Sequence, residues 1–468
     1  MDPRMRRDDL DFLADAFDPD RVGALVAKHL AAPDGPSIAV AACKLTFARR
    51  GAARQLFQYQ VRLRNRESGD EWTELVTALA YAVRDTEQLW AVLQSRVPAT
   101  GRGEALAAAA YVPELDILFQ TFPFDYRLPA LAPLIAGRLP GLADALLGRF
   151  GPGEWRIDGW RAEPVRYRVD LRATVRVAVR ARAATNGAVA ERRFFAKVYA
   201  SPELAATAWD AQRRLAAALA AAEPTLALAP IVAYLPDARV LAHDEVGGAS
   251  LEELIADDGR AVEAVRATGR ALATLHQLTI EAPERPQMDR VAPERLDVIV
   301  ARLQAARPDL AAPAAAIVQA IGAGLSELEA PLPVPVHGDL KPAHVRFDRG
   351  RVVLLDLDKL SAGEPLRDVA DLLIRFGRGL SGKRHARLAR LRRPFVDAYL
   401  AAAPEPWARR LPAHYAAALL REAAAASESA RAAEGERPGR RAKRADYPGR
   451  LLEAAQAVLT GDDSGWDE

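Results

Sequence analysis

A chain of 468 residues exceeds what one small core can hold and calls for two or three domains. Half its residues are hydrophobic and the formal net charge is only +2, which excludes a disordered chain and leaves no electrostatic drive toward nucleic acid. The single cysteine, Cys43, cannot form an internal disulfide and excludes a disulfide-built secreted fold.

The opening segment Met1–Leu10 carries charges but no apolar signal core, and no stretch approaches about 18 uninterrupted apolar residues, so no membrane span is expected and the cytoplasm is the default location. Residues 1–36 read as one helix or two, with Asp20 as an N-cap ahead of Val22–Leu30. Strands follow at 37–47 and 56–64, and a turn at 67–70 leads into a third at 75–81. The segment 98–158 is punctuated by Pro and Gly and reads as a connection holding a short helix at 139–150. Gly151-Pro-Gly153 marks a domain boundary.

Strands at 165–169, 174–182 and 192–199 form the next sheet. Lys197 sits inside the last of them, where a lysine faces either solvent or a ligand. Helix 202–222 follows, with Glu203 and Asp210 as acids near that lysine in sequence and Asp210 the weakly preferred partner. No glycine-rich loop is visible between the first strands of this sheet. The run from Tyr59 to Ala82 aligns without gaps with the run from Val177 to Ala200. Either a unit is repeated, or Arg-rich alternating strands look alike. A hairpin at 231–234 and 239–245 ends in Glu245-Val-Gly-Gly248. Ser250 then starts a helix with Glu253 three residues on, a capping box. Helix 261–278 presents His276 on an apolar face, where a histidine is usually a hydrogen-bonded core residue. Further helix at 296–328 breaks at Arg307-Pro308.

The chain then reaches Val334-Pro-Val-His-Gly-Asp339. The prolines keep the entry extended, Gly338 permits a turn, and Asp339 is held at the loop tip. An acid there can accept or orient a hydroxyl proton, and Lys341 can reach a transferring phosphate. Two short strands flank Asp348-Arg-Gly-Arg351. If Arg349 and Gly350 are the turn, Asp348 pairs with Arg351 and His344 falls opposite Leu355. Position 344 then stands beside Asp356, a carboxylate and a second ligand for a metal bound to phosphate oxygens. Only seven lysines occur in this Arg-rich chain (28, 44, 197, 341, 359, 383 and 443), so a lysine at a chemical position is less readily accidental.

These residues resemble the aminoglycoside phosphotransferase family, which includes choline-kinase-like and maltokinase-like enzymes. The resemblance is carried by His337-Gly338-Asp339, Leu355-Asp356-Leu357, Gly363-Glu-Pro-Leu-Arg-Asp368, and the Leu272-Ala-Thr-Leu-His276 helix. It implies an α+β, two-lobed protein-kinase-like fold. An antiparallel N-lobe at 154–246 and a mainly helical C-lobe at 247–468 would follow an α+β cap at 1–153. It further implies ATP and Mg²⁺, with Mn²⁺ as a substitute, and a small-molecule hydroxyl acceptor: a sugar, aminosugar or amino alcohol. Asp339 becomes the catalytic acid/base, with Lys341 neutralising charge. Lys197 becomes the donor-phosphate lysine, and the backbone of Glu245, Val246 and Gly247 the adenine hinge. Asp356 becomes a metal ligand, and Asp368 a structural tie to the next helix. A cap before the kinase lobe is familiar in maltokinase-like proteins, and a repeated cap with Leu79 at the place of Lys197 would be blind to phosphate. Two departures stand out: His344 replaces the family's metal-binding Asn, and Glu364 replaces an Asp. With the missing glycine-rich loop they favour a second reading, a nucleotide-binding pseudokinase that serves a partner.

Beyond Asp371 the chain reads as helix almost to its end. Basic runs at 375–393 and 437–444 read as solvated faces, not nucleic-acid or membrane sites. A last amphipathic helix spans 447–459, and an acidic tail begins at Gly461.

Overall fold

The computed structural model of the chain describes residues 18–50, 54–81, 85–98, 105–221, 225–285, 289, 291–376, 382–432, 438–462 and 466. They divide between two compact units, one of Met1–Ala206 with Ile231–Asp244, the other of Thr207–Pro230 with Glu245–Glu468. The segment anticipated as cap thus falls in the first unit together with most of the anticipated N-lobe, while 207–230 and 245–246 of that N-lobe fall in the second. The class is α+β. The first ten residues and most of the expected tail lie outside the described residues, as do the side chains of the 437–444 basic run.

The first unit opens with helix Pro19–His29. Its N-cap is Asp18, whose carboxylate accepts from the N–H groups of Asp20 at 2.9 Å and Arg21 at 3.3 Å. The expected cap, Asp20, sits inside the first turn instead, because Pro19 has the φ of a first helical residue and needs no N–H there. Strands β1 (Ile38–Arg50), β2 (Arg54–Asn65) and β3 (Glu71–Tyr81) follow, then helix Asp85–Leu93, then β4 (Ala109–Val112) and β5 (Ile117–Thr121). They pair antiparallel in the order β1-β2-β3-β5-β4. On one face Phe57, Tyr59, Val61 and Leu63 pack on Val22 and Val26 of the first helix. The hairpin β4–β5 falls within the segment read as connection. All five residues of β5 are buried, so its sequence lacks the alternation that marks a half-buried strand. Cys43, on β1, is half-buried, and burial pushes its thiol up to about 11, an inert thiol at neutral pH.

The second sheet contains β6 (Trp155–Arg168), β7 (Arg172–Ala183) and β8 (Val189–Tyr199). Helix Pro202–Ala221 and β9 (Leu226–Leu228) intervene before β10 (Ile231–Leu235) and β11 (Val240–Asp244), giving the order β10-β11-β8-β7-β6. Strand β7 alternates strictly. Ala173, Val175, Val177, Val179 and Ala181 are fully buried against Leu128, Leu131, Leu134, Leu142 and Leu146 of the preceding segment. Each valine side chain so buried stabilises the unit by about 1.5 kcal/mol or more.

The turn between β6 and β7 is fastened to the earlier part of the unit. Asp170 is buried with φ +62°. Its N–H donates to Asp125 Oδ2 at 3.0 Å, the Tyr167 hydroxyl donates to the same oxygen at 3.0 Å, and Arg54 Nη1 lies 3.0 Å from Asp170 Oδ2.

In the second unit, β12 (Ala249–Ser250), β14 (Val345–Asp348) and β15 (Arg351–Leu354) form a sheet with β9, which runs parallel to β15. Strand β13 (Val334–Val336) pairs separately with β16 (Ser361–Gly363). Helices Ala261–His276, Leu366–Arg375 and Leu411–Ala432 supply much of the surrounding core. The β14–β15 hairpin has the expected register. Asp348 faces Arg351 across a two-residue turn, with Arg349 and Gly350 at φ +50° and +76°. Ser250 and Glu253 form the expected capping box. Among the described residues one helical stretch, Pro308–Ser326, is long and apolar enough to cross a membrane by composition alone; Ala314, Ile317 and Ile321 of it belong to the core.

Burial and the neighbouring Asp125 push the Asp170 carboxyl up to about 6, against the pull of Arg54, Arg127 and Arg49. A folded-state pKa above the unfolded value, about 3.9, means that this group favours folding below pH ~4 and loses that contribution as pH rises through ~6. Thermal unfolding of the Asp170→Asn variant should therefore show a shallower fall in stability between pH ~4 and ~6, by a term on the order of 2 kcal/mol. An unchanged slope would contradict the assignment.

Candidate active site

Strand β13 delivers His337, Gly338 and Asp339 to a loop that cannot hold its own shape, since its N–H groups have no strand to pair with. A single carboxylate takes the first two of them, and the Asp339 N–H donates to His337 Nδ1 at 3.3 Å. Asp368, in the first turn of helix Leu366–Arg375, is fully buried and accepts from the N–H of His337 at 2.5 Å and of Gly338 at 2.9 Å. His276 Nε2 stands 3.4 Å from the same carboxylate, and its Nδ1 is 2.8 Å from the Tyr399 hydroxyl. The histidine is thus the hydrogen-bonded core residue expected. Burial alone would raise the Asp368 carboxyl; the His276 hydrogen bond and the charges of His276, His337 and Arg367 outweigh it and hold it at about 2. The helix N-terminus favours a negative charge in its first turn as well.

Gly338 has φ +79°, and a Cβ there would stand 2.5 Å from the Lys359 carbonyl oxygen and 3.0 Å from Arg367 Nη2. Only glycine lets these two segments approach. The Gly338 carbonyl accepts from Arg367 Nη2 at 2.6 Å, so Arg367 closes the loop from the other side.

Asp339 is thereby held half-buried among cations. Lys359 Nζ lies 3.4 Å from its Oδ2. Burial acts to raise this carboxyl, but Lys359, His344 and Lys341 together hold it below the ordinary carboxylate range. The Asp339 carbonyl accepts from His344 Nδ1 at 3.0 Å, and His344 Nε2 is 3.4 Å from Asp356 Oδ2. Loop, turn and hairpin thus bring Asp339, His344 and Asp356 together, as expected from the hairpin register; Leu355 N–H donates to the His344 carbonyl at 2.9 Å.

The His344 ring is ordered by chemistry. A carbonyl oxygen only accepts, so Nδ1 carries the proton. Burial pushes the imidazole down to about 4 against the pull of Asp356, so the ring is neutral at pH 7 and Nε2 presents a lone pair. That lone pair faces a carboxylate oxygen, two acceptors turned toward one another, an arrangement that a cation stabilises. Asp356 itself sits at φ +57°, ψ +53°, left-handed backbone that costs a non-glycine residue about 1 kcal/mol or more and that recurs at functional sites.

The model of the phosphotransferase enzyme family matches residues 178–413. The chain belongs to this family. No curated protein matches it. Among solved structures it is similar to a choline/ethanolamine kinase family protein from Mesorhizobium loti, at 17% identity over 67% of this chain and 90% of that one, with a TM-score of 0.40. It is similar also to the ADP-bound aminoglycoside phosphotransferase APH(2'')-Ib, at 13% identity over 69% and 99% with a TM-score of 0.39. A glucosamine kinase gives 15% identity over 69% and 100%, with a TM-score of 0.37.

Within the family match the other expected site residues are distributed as follows. Lys341 is half-buried at the start of the turn Pro342–His344, and its charge acts on both Asp339 and His344. Glu245, Val246 and Gly247 follow β11 without regular structure; the Gly247 and Gly248 carbonyls accept from Arg346 at 3.2 and 2.8 Å. Gly248, at φ +73°, lies so close to β14 that a Cβ would meet the Phe347 carbonyl oxygen at 1.9 Å. Lys197 belongs to the first unit, where β8 places it opposite Thr174 on β7 and Leu241 on β11, only 7% exposed. Of its suggested acidic partners, Asp210 is engaged by Arg213 at 2.9 Å and Arg214 at 2.7 Å, and Glu203 by the Ser201 hydroxyl. Glu364, the family's Asp, is held by Arg410 at 3.2 Å and stands 3.5 Å from His414 Nε2.

Sequence reasoning did not single out Lys359 or Arg367. Lys359 was visible as one of few lysines, three residues past Asp356. The role of Arg367 depends on a contact with Gly338 that no local pattern announces.

Replacing Asp368 with Ala leaves two buried backbone donors without an acceptor. The second unit should lose about 3 kcal/mol, read as a lower denaturant midpoint, with activity falling alongside. Because the carboxyl is held near 2, the wild-type advantage is present above pH ~4 and fades as pH falls toward ~2. An equal midpoint for both proteins at pH 7 would contradict this.

Proposed function

We propose that this protein is an ATP-dependent phosphotransferase that moves the γ-phosphate onto a hydroxyl of a small molecule. The observation that carries the reading is the assembly of Asp339, His344 and Asp356 around one loop and hairpin, with Lys359 and Lys341 supplying positive charge beside the acid. Phosphoryl transfer asks the protein mostly for positioning and for charge at the transferring group. Asp339, ionised at neutral pH, orients the acceptor hydroxyl and takes its proton as the bond to phosphorus forms. Lys341 and Lys359 neutralise the charge that gathers on the transferred oxygens. Lys197 holds the donor phosphates, and the backbone of Glu245, Val246 and Gly247 lies along the adenine. The acceptor class, a sugar, aminosugar or amino alcohol, follows family membership.

The metal fits this donor set with a twist. Asp356 and the Nε2 lone pair of His344 would hold a divalent ion, which when bound draws charge from the donor phosphates. Among the described residues no group of three or more His, Cys, Asp or Glu is arranged for a metal. Phosphate and water oxygens would therefore complete the shell, as is usual for Mg²⁺. Imidazole suits Mn²⁺ better than hard Mg²⁺. His344→Asn should raise Mg²⁺-supported turnover relative to Mn²⁺-supported turnover by several-fold; an unchanged ratio would remove His344 from the metal shell.

The reading is tested by following ATP consumption with pooled hydroxylated acceptors and either metal. Wild type should turn over, and Asp339→Ala should lose about 10²–10⁴ in kcat with nucleotide affinity near wild type. Tight nucleotide binding without turnover under either metal would instead identify a nucleotide-binding module acting through a partner.

A further inference from the structure

The two sheets of the first unit repeat one another. Each has five antiparallel strands, with the fifth inserted between the third and fourth: β1-β2-β3-β5-β4 and β6-β7-β8-β11-β10. In each, a helix follows the third strand, Asp85–Leu93 in one and Pro202–Ala221 in the other. The ladders coincide under a single shift along the sequence. Arg54 pairs with Tyr81 as Arg172 pairs with Tyr199; Leu56 faces Leu79 as Thr174 faces Lys197; Arg64 faces Glu71 as Arg182 faces Val189. The inserted strand keeps register too, Ala80 facing Ile117 as Val198 faces Val240. Equivalent faces are covered by helical residues that precede each first strand. Val22 and Val26 cover Phe57, Tyr59 and Val61, while Leu131 and Leu134 cover Val175, Val177 and Val179. Similar composition alone would not reproduce strand order, register and covered face together.

The copies differ where it matters for phosphate. Leu79 occupies the place of Lys197, and its face is filled. Leu56, Leu79 and Leu118 pack with Leu93 of the helix and with Val169 of the β6–β7 turn, with Tyr126 and Tyr167 against them. The turn between the first two strands of the lysine-bearing sheet therefore sits on the first sheet's equivalent of the lysine face. Arg54 and Asp125 fasten it through Asp170, and Arg127 N–H braces Asp125 at 2.9 Å. On β7, Thr174 lies just beyond this turn and faces Lys197.

We propose that β1–β5 is a second copy of the nucleotide-binding sheet that has lost its phosphate lysine and now serves as a fixed seat for the β6–β7 turn, positioning that turn beside the donor phosphates held by Lys197. The proposal rests on the reading of Lys197 given above. A seated turn without glycine replaces a glycine-rich flap that would have to close, and a preorganised site does not lose affinity to the unclosed fraction. Arg54, Asp125, Tyr167 and Asp170 are positioning residues and touch no substrate.

Calorimetry on the full chain with Mg²⁺ and a non-hydrolysable ATP analogue tests this, with AMP as the control that lacks the β- and γ-phosphates. One analogue should bind per chain. Tyr167→Phe, which removes one hydroxyl donor, should weaken the analogue about 3-fold or more, and the charge-removing pair Arg54→Met/Asp170→Asn about 10-fold, with AMP affinity unchanged in both. Two analogues per chain, unaltered analogue affinity in both variants, or equal loss of AMP and analogue would each overturn the seat. Lys197→Met separates the two claims. If it leaves analogue affinity at wild type, the phosphate role of Lys197 fails, and the seat, which depends on it, fails with it. If Lys197→Met weakens the analogue while the seat variants do not, only the seat fails.

Discussion

The Asp368 carboxylate is fully buried and takes the N–H groups of His337 and Gly338, and through them it determines where Asp339 can be. A buried anion is costly unless its oxygens are hydrogen-bonded, and here the loop backbone, His276 and the start of a helix meet that requirement. The dependence runs both ways: among the described residues those two donors have no other acceptor. Gly338 then admits the Lys359 backbone and Arg367 to a distance that no other residue would tolerate. Asp339 is thus placed by a chain of contacts that begins on the helix Leu366–Arg375.

Charge around Asp339 is distributed with the same economy. Lys359 stands at 3.4 Å, while Lys341 acts from the neighbouring turn. Such an acid is a weak base that stays ionised, suited to orienting a hydroxyl more than to stripping its proton early. His344 is kept neutral by burial with its Nδ1 committed to the Asp339 carbonyl, which turns Nε2 toward Asp356. Glu364 stands in a pair with Arg410, whose Nη1 also reaches the Leu328 and Glu329 carbonyls. The family's Asp is thus replaced by a longer acid that is structurally engaged.

Local patterns carried much of this. The two-residue turn Arg349-Gly350 determined the β14–β15 register, which in turn brought position 344 beside Asp356. The Ser250–Glu253 box and the His276 contacts were equally local in origin. What was not legible depends on burial or on distant partners. Strand β5 is buried on both faces and shows no period. Asp210 lies close to Lys197 in sequence, yet its carboxylate is engaged by arginines on its own helix. The repeat between the sheets was detectable as an alignment, but its strand order and register required coordinates. Family membership rests on residues 178–413, so the first sheet is understood only through its likeness to the second.

The central claim is that the loop bearing Asp339 and the hairpin bearing Asp356 form one metal-assisted phosphoryl-transfer centre. Crystals grown with ADP and Mn²⁺, with diffraction recorded at the manganese absorption edge, address it most directly. The account predicts an anomalous peak within bonding distance of the Asp356 carboxylate and the nucleotide phosphates, on the side where His344 Nε2 faces. Bound nucleotide with the manganese peak away from Asp356 would contradict it.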